Sequence, residues 1–343
     1  MSRAQLTSTV EQNSAGAAAP VVAGKNFLAN GNFDIWQRST SFSNLTSGAY
    51  GADRWCGASS GTSTLSRQTS GAPNGSQYIL RSALGAASSF QNIYQMIETA
   101  NTVALQGSTA TLSVKLRRNS TFSGGINVVI EKSSTVDASF GATWTIIAQT
   151  IVANGSLPTG TGSSNWYTAT ATAAIPNDGT ANTLRISITQ TSYETTGAYW
   201  EVSQVQLEQG SVATPFSRAA GTLQGELALC QYYFNRIVNG AEQSDEQICV
   251  LQAGSSTTGL GAFKFGNTMR VAPTVTISSA SHFGMRGPTF GGPYTCSSLT
   301  FAAISKRGMQ INTNISSGVL TAGYASVFEA PSASATLDLS AEL

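Results

Sequence analysis

A chain of 343 residues is long enough for two domains with tails. Only 10% of it is charged, against about a quarter in an ordinary soluble domain, and its formal net charge is +1. That balance leaves no cationic excess to neutralise phosphates, and no apolar run approaches the ~20 residues of a bilayer-crossing helix, so neither nucleic-acid binding nor membrane insertion is expected.

Residues 1–25 are small, polar and aperiodic, without the apolar stretch of a signal peptide. They predict an N-terminal arm, either disordered or ordered against a partner, on a protein made in the cytoplasm. From Asn26 to Phe216 the pattern is β throughout. In TATLSVKLR, Ala110, Leu112, Val114 and Leu116 share one face; in TLRISITQ, Leu184, Ile186 and Ile188 do. Further strands are predicted at 77–81, 90–97, 126–131, 144–151, 166–173 and 199–208, separated by turn formers such as SGG, ANG and PNDG. Many short strands at this spacing predict a sandwich of jelly-roll type over 26–216.

Residues 217–240 read as linker and helix. Thr222 is placed to cap it, and Leu223, Leu227, Cys230 and Phe234 follow at spacings of 4, 3 and 4, an apolar seam on a helix over 222–236. Such a helix is too short to stand alone, so the seam is buried either by the C-terminal domain or by the same helix of neighbouring chains. Over 241–343 the β pattern returns, with strands predicted at 247–252, 261–266, 273–278, 298–304, 309–314, 323–330 and 335–342. The expected fold class is therefore all-β: an N-terminal jelly-roll β-sandwich, a short helix and a smaller C-terminal β-sandwich.

Few residues suggest chemistry. The four cysteines, Cys56, Cys230, Cys249 and Cys296, form no CxxC pair, and His282 is the one histidine, set in a Ser/Gly-rich loop without a GxSxG elbow. Buried thiols are expected, with a bridge in the second half or between subunits as the alternative. Acidic residues are sparse, and no pair has the spacing of a glycosidase couple. No catalytic residue is assigned, so no enzyme is expected; a depolymerase remains the enzymatic alternative. Asp53-Arg54-Trp55 reads as an ion pair packed over an indole, a core staple. Sugar contact needs aromatic rings beside amides or charges. In FQNIYQMIE the Ile93/Ile97 face predicts core and turns Asn92 and Tyr94 outward. Tyr94, Asn92, Trp144 and Trp166 are thus the candidate ligand residues, with rim packing as the alternative role for each.

Three stretches in combination, NFLANGNFDIWQRSTSF with YGADRW, VQLEQGSVATPF with GELALCQYYF, and MRVAPTVTI with the closing AEL, closely resemble a family of phage and prophage tail-fibre or virion structural proteins. That resemblance covers most of the chain from Asn26 onward. It implies a virion location, an arm joined to other virion proteins, a homo-oligomer of three copies, and attachment to host cell-surface polysaccharide or a purely structural decoration. LANGNFD also resembles the first strand of family 4/9 carbohydrate-binding modules, which are calcium-stapled jelly rolls. A retained calcium staple would use the backbone near Asn30 and Asn32 with Asp34. The carboxylate such modules carry before Val-x-Leu is Ser203 or Gln204 here, so Glu201 or Glu208 would have to replace it. Otherwise no cofactor is expected.

Overall fold

The computed structural model describes residues 24–87, 89–241, 245–287, 292–317 and 320–343. The N-terminal arm, 1–25, lies almost wholly outside these residues. Among these residues the chain is all-β, with two short α-helices. Its first half is a two-sheet sandwich. Sheet A runs β1 (Ser41–Ser43), β3 (Ser63–Gln68), β4 (Ile79–Leu84), β11 (Tyr199–Gln209), β6 (Thr109–Arg118) and β9 (Tyr167–Ala174) in spatial order. Sheet B runs β2 (Cys56–Ser60), β5 (Phe90–Ile97), β10 (Thr183–Gln190), β7 (Ile126–Ser133) and β8 (Thr145–Val152), and every named pair in both sheets is antiparallel.

The predicted alternation builds this core. Leu112, Val114 and Leu116 of β6 face Leu184, Ile186 and Ile188 of β10 within one cluster that also holds Trp55 and Trp200, all at most 1% exposed. In β9, TATATAA puts Ala169, Ala171 and Ala173 inward and leaves the threonines out. Burying side chains of Leu or Ile size stabilises by about 1.5–3 kcal/mol each, so this cluster sets the register of both sheets. Strands β1 to β3 were not foreseen, because they are short and lie among turns.

The inward pattern of β11 slips once. Trp200 and Val202 are two apart, but Val205 and Leu207 continue after a step of three, and all are fully buried. The register with β6 shifts between Ser203 and Gln206, and Gln204 takes a positive φ of 51°. This is a β-bulge, and it turns the Gln204 side chain outward. Opposite it, Gly31 fits where no Cβ could: one would lie 2.0 Å from the Val205 carbonyl oxygen.

Helix α1 (Thr99–Thr102) is a single turn after β5. Helix α2 spans Leu223–Gln231, and Thr222 caps it as expected, its hydroxyl accepting from Gly225 N–H at 3.0 Å. The seam is corrected, however. The helix stops at Gln231, and Phe234 opens a strand, β12 (Phe234–Asn239). Cys230 and Phe234 are buried within the chain, Leu223 is 48% exposed and Leu227 is half-buried. The buried helix face carries Glu226 and Cys230 instead. The 217–240 boundary shifts accordingly, since β12 belongs to the second β body.

That body combines a three-stranded sheet, β12-β20-β15, with a closed barrel, β13-β14-β18-β17-β16-β19. Its strands are β13 (Glu246–Ala253), β14 (Thr258–Lys264), β15 (Thr274–Ile277), β16 (Gly284–Arg286), β17 (Tyr294–Ser305), β18 (Gly308–Ile315), β19 (Ala325–Ala330) and β20 (Thr336–Ser340). The expected smaller sandwich thus takes a form in which β13 pairs with both β14 and β19, closing one sheet on itself. Closure removes the exposed edges that an open sheet would leave. Phe283, Met285, Ile311 and Phe328 fill it, and Leu337 and Leu339 of the small sheet join the same cluster.

The two bodies meet at a buried, charged junction. Arg54, at a positive φ of 69°, pairs with Glu342 at the far end of the chain. Its guanidinium lies 3.5 Å from the centre of the Tyr233 ring and donates to Met96 O at 2.8 Å. Arg38 reaches Glu342 at 3.2 Å and Asp53 at 3.6 Å, and lies 3.5 Å from the Phe234 ring centre. The expected Asp53–Arg54 ion pair is therefore corrected: each residue has a different partner, because the left-handed backbone at Arg54 sends the two side chains apart. Trp55 is a core residue, its indole donating to Asn30 O at 3.0 Å.

Candidate functional site

The outer face of sheet A is a layered polar surface. Its floor is buried: Glu201, 1% exposed, receives Arg81 at 2.6 Å and also pairs with Arg117, itself 1% exposed. Register places these three side by side on β4, β11 and β6. Buried charges persist only when paired in this way. Glu208, further along β11, accepts from Thr214 N–H at 2.8 Å and from its hydroxyl at 2.6 Å, and Lys25 lies at 3.3 Å. Burial pushes the Glu208 carboxyl up, but these donors and Gln206 outweigh it and hold it below the usual range.

Above this floor runs a groove in two adjoining parts. One, about 350 Å³, is lined by residues that include Ser113, Lys115, Thr168, Thr214 and Phe216. The other, about 250 Å³, is lined by Pro73, Ser163, Ser164 and Trp166. Asn74, Lys115 and Gln204 line both. The bulge at Gln204 brings its amide across to donate to Asn74 O at 2.8 Å and to Ser76 Oγ at 3.1 Å. Lys115 Nζ donates to Thr168 Oγ1 at 2.6 Å. Asn74, Ser163 and Ser164 are exposed, while Trp166 and Phe216 are half-buried. The Trp166 ring is fixed rather than loose: Arg117 lies 4.3 Å from its centre, and its indole donates to Gly71 O at 3.2 Å. Among the described residues no carboxylate lines either part. The arrangement offers a preoriented ring, amides, hydroxyls and one cation on a rigid sheet.

Of the predicted ligand residues, Trp166 alone lies in this groove. Tyr94 and Trp144 lie on sheet B's outer side, where they box in the chain's own Arg185. That guanidinium is 5.2 Å from the Tyr94 ring centre and 4.6 Å from that of Trp144, and it grips Glu131 with bonds of 2.6 and 2.8 Å. Burial raises the Tyr94 hydroxyl above its ordinary pKa. Asn92 spends its side-chain oxygen on Gln190 N–H at 3.0 Å. The structure therefore gives these three residues intrachain partners instead of a shared open site.

The calcium set does not converge. Asn30 uses its side chain on Ile35 and Asp53 backbone groups at 2.8–2.9 Å, and its backbone N–H goes to Glu226. Asn32 Nδ2 contacts Asp34, and Asn32 Oδ1 accepts from Ser203 at 3.3 Å. Asp34 is neutralised by Arg218 at 2.8 Å, and Glu201 by its two arginines. Among the described residues no group of three or more His, Cys, Asp or Glu side chains could hold a metal ion. The donor set here is a guanidinium lattice, and it does not fit calcium. His282 is half-buried, with Ser278 Oγ at 2.9 Å from Nδ1. All four cysteines are free thiols, three of them buried, and burial pushes Cys56 and Cys296 up to about 12.

No family model matches the chain, and no curated protein matches it. Solved structures do align with parts of it. Tailspike protein 4 of bacteriophage CBA120 aligns at 13% identity and a TM-score of 0.35 over 54% of this chain and 22% of its own. The xylan-binding domain CBM22-1 of Paenibacillus barcinonensis Xyn10C aligns at 10% identity and 0.33, covering 58% of this chain and 100% of its own. A cyclase from Fischerella aligns at 13% and 0.34, over 54% and 96%. This chain thus spans about a fifth of the tailspike. At such TM-scores these likenesses do not extend to chemistry.

Asn74, Lys115, Gln204 and Phe216 were missed from sequence. The one available signal was the broken alternation in EVSQVQLE, where an apolar spacing of three in a strand of spacing two marks a bulge.

Proposed function

We propose that this chain is a non-enzymatic adhesive protein of a bacteriophage virion surface, and that the sheet A groove holds host-surface glycan. The observation that carries glycan binding is the groove itself: a locked, half-buried Trp166 beside Asn74, Gln204, Lys115 and exposed hydroxyls. Sugars present apolar C–H faces to such a ring and hydroxyls to such amides, and sites of this kind combine one rigid apolar surface with a few placed polar groups. The carboxylate-free lining supports binding without hydrolysis, because glycoside cleavage needs two acids at the scissile bond. The virion location is supported by the sequence resemblance. Attachment to other virion proteins through residues 1–25 belongs to the same proposal.

Association of copies, three in the fibre resemblance, is also part of it. Exposed Leu223 on α2 and Val250 and Leu260 on the barrel supply apolar surface for it. Several weak grooves on one particle would act together through effective concentration. Glycan-array binding of the full chain, with and without Trp166→Ala, tests the groove. Antibody labelling of intact particles tests the location. Binding weakened roughly thirtyfold by Trp166→Ala is expected; release of oligosaccharide from host capsule would replace this reading with a depolymerase.

A further inference from the structure

We propose that the glycan taken by this groove is anionic, with a carboxylate or phosphate seated against Lys115; this rests on the groove being the glycan site. Three observations point to it. First, Lys115 lines both parts of the groove, at their shared middle, where the Asn74 and Gln204 amides also converge. Its ammonium has three donors, and among the described residues the one bond it makes is to the neutral Thr168 hydroxyl at 2.6 Å. Second, among the described residues no carboxylate lines the groove to compete for it.

Third, the floor beneath is itself positive. Glu201 faces two guanidiniums, Arg81 and Arg117, so that cluster carries one positive charge in excess. Glu208 is matched by Lys25. Adding Lys115 gives two positive charges over the groove region, on a chain whose whole net charge is +1. The buried members of that set are screened by salt far less than surface charges are. A neutral sugar gains nothing from this field; an anionic one gains a charge-assisted hydrogen bond on top of the Trp166 stacking contact.

The test uses the full chain and titration calorimetry. One arm takes oligosaccharides containing uronic acids, each against its carboxyl-reduced counterpart. The other takes phosphorylated oligosaccharides, each against its dephosphorylated counterpart. At low salt the anionic member of at least one pair is expected to bind about twofold to fivefold tighter, with the gap narrowing as salt rises. The arm in which the gap appears identifies the anion. Lys115→Gln is expected to erase the gap, Lys115→Arg to keep it, and Trp166→Ala to weaken both members alike. Lys115 is an outward-facing strand residue, so its variants fold; a matching melting temperature checks this. Equal or tighter binding of the neutral members, or a gap that survives Lys115→Gln, overturns the anionic inference while the groove stands. Binding untouched by Trp166→Ala overturns the groove reading and this inference together.

Discussion

The junction between the two β bodies and the groove on sheet A are built from the same materials, arginines, acids and aromatic rings, but they use them differently. At the junction each guanidinium is matched from within the chain: Arg54 by Glu342 and the Tyr233 ring, Arg38 by Glu342, Asp53 and Phe234, and Arg236 by Asp338 at 2.7 Å. In the groove Glu201 and its two arginines form the floor, and the groups above them, Lys115 and the exposed Asn74, Ser163 and Ser164, are left facing solvent. Charges paired across two bodies make a joint; polar groups left open over a rigid base make a binding surface.

The largest expected effect tests the joint. Arg54→Met leaves Glu342 buried with one partner fewer, which costs about 3–5 kcal/mol. A fall in melting temperature of roughly 4–7 °C should follow for a chain of this length, read by calorimetry. A variant that melts as the parent does would show the junction to be incidental.

Next in size is a pH effect that separates the two regions. Burial pushes Asp53 up from 3.8 to about 6, against the pull of Arg38. Between those values the folded state holds the proton more tightly, so Asp53's contribution to stability falls as pH rises through that window and is level above it. The swing is about 3 kcal/mol, and Asp53→Asn should flatten that component of the melting curve. Glu208, beneath the groove, is held below its ordinary value. Its contribution has the opposite sign: present at neutral pH and lost as pH falls through its folded pKa. Parallel pH profiles for Asp53→Asn and Glu208→Gln would erase this distinction.

Trp166→Ala should cost about 2 kcal/mol of glycan affinity, roughly thirtyfold, with the junction intact. The smallest effect is expected at Leu223→Ser, within about 0.5 kcal/mol of parent stability because the side chain is half exposed. The same variant examined by sedimentation sharpens the oligomer proposal: a loss of associated copies would show that α2 presents its open side to a neighbour.

Much of this architecture was legible from alternation. β5, β6, β10 and β11 fall where period-two patterns placed them, because one buried face per strand is a local constraint. The helix seam misled for a related reason. Cys230 and Phe234 are spaced as on a helix, yet Tyr233 and Phe234 are drawn into contact with Arg54 and Arg38, and the chain becomes a strand that pairs with β20. The spacing joined one buried helix residue, Cys230, to a buried strand residue, Phe234, while Leu223 stayed exposed. Trp166 was legible as a candidate ring, while Tyr94 and Trp144 were equally plausible until Arg185 was found between them.

The sequence alone determined the strand-rich class, the neutral hydrogen-bonding surface and the inward faces of the main strands, since each follows from residues a few positions apart. Only the tertiary structure decided which charge meets which. Arg54 and Glu342 are 288 residues apart and Arg81 and Glu201 are 120 apart, and no local pattern encodes a pairing at that range. The same holds for the groove: its ring, lysine and amides come from separate strands and loops and exist as one surface only after the sheets have packed.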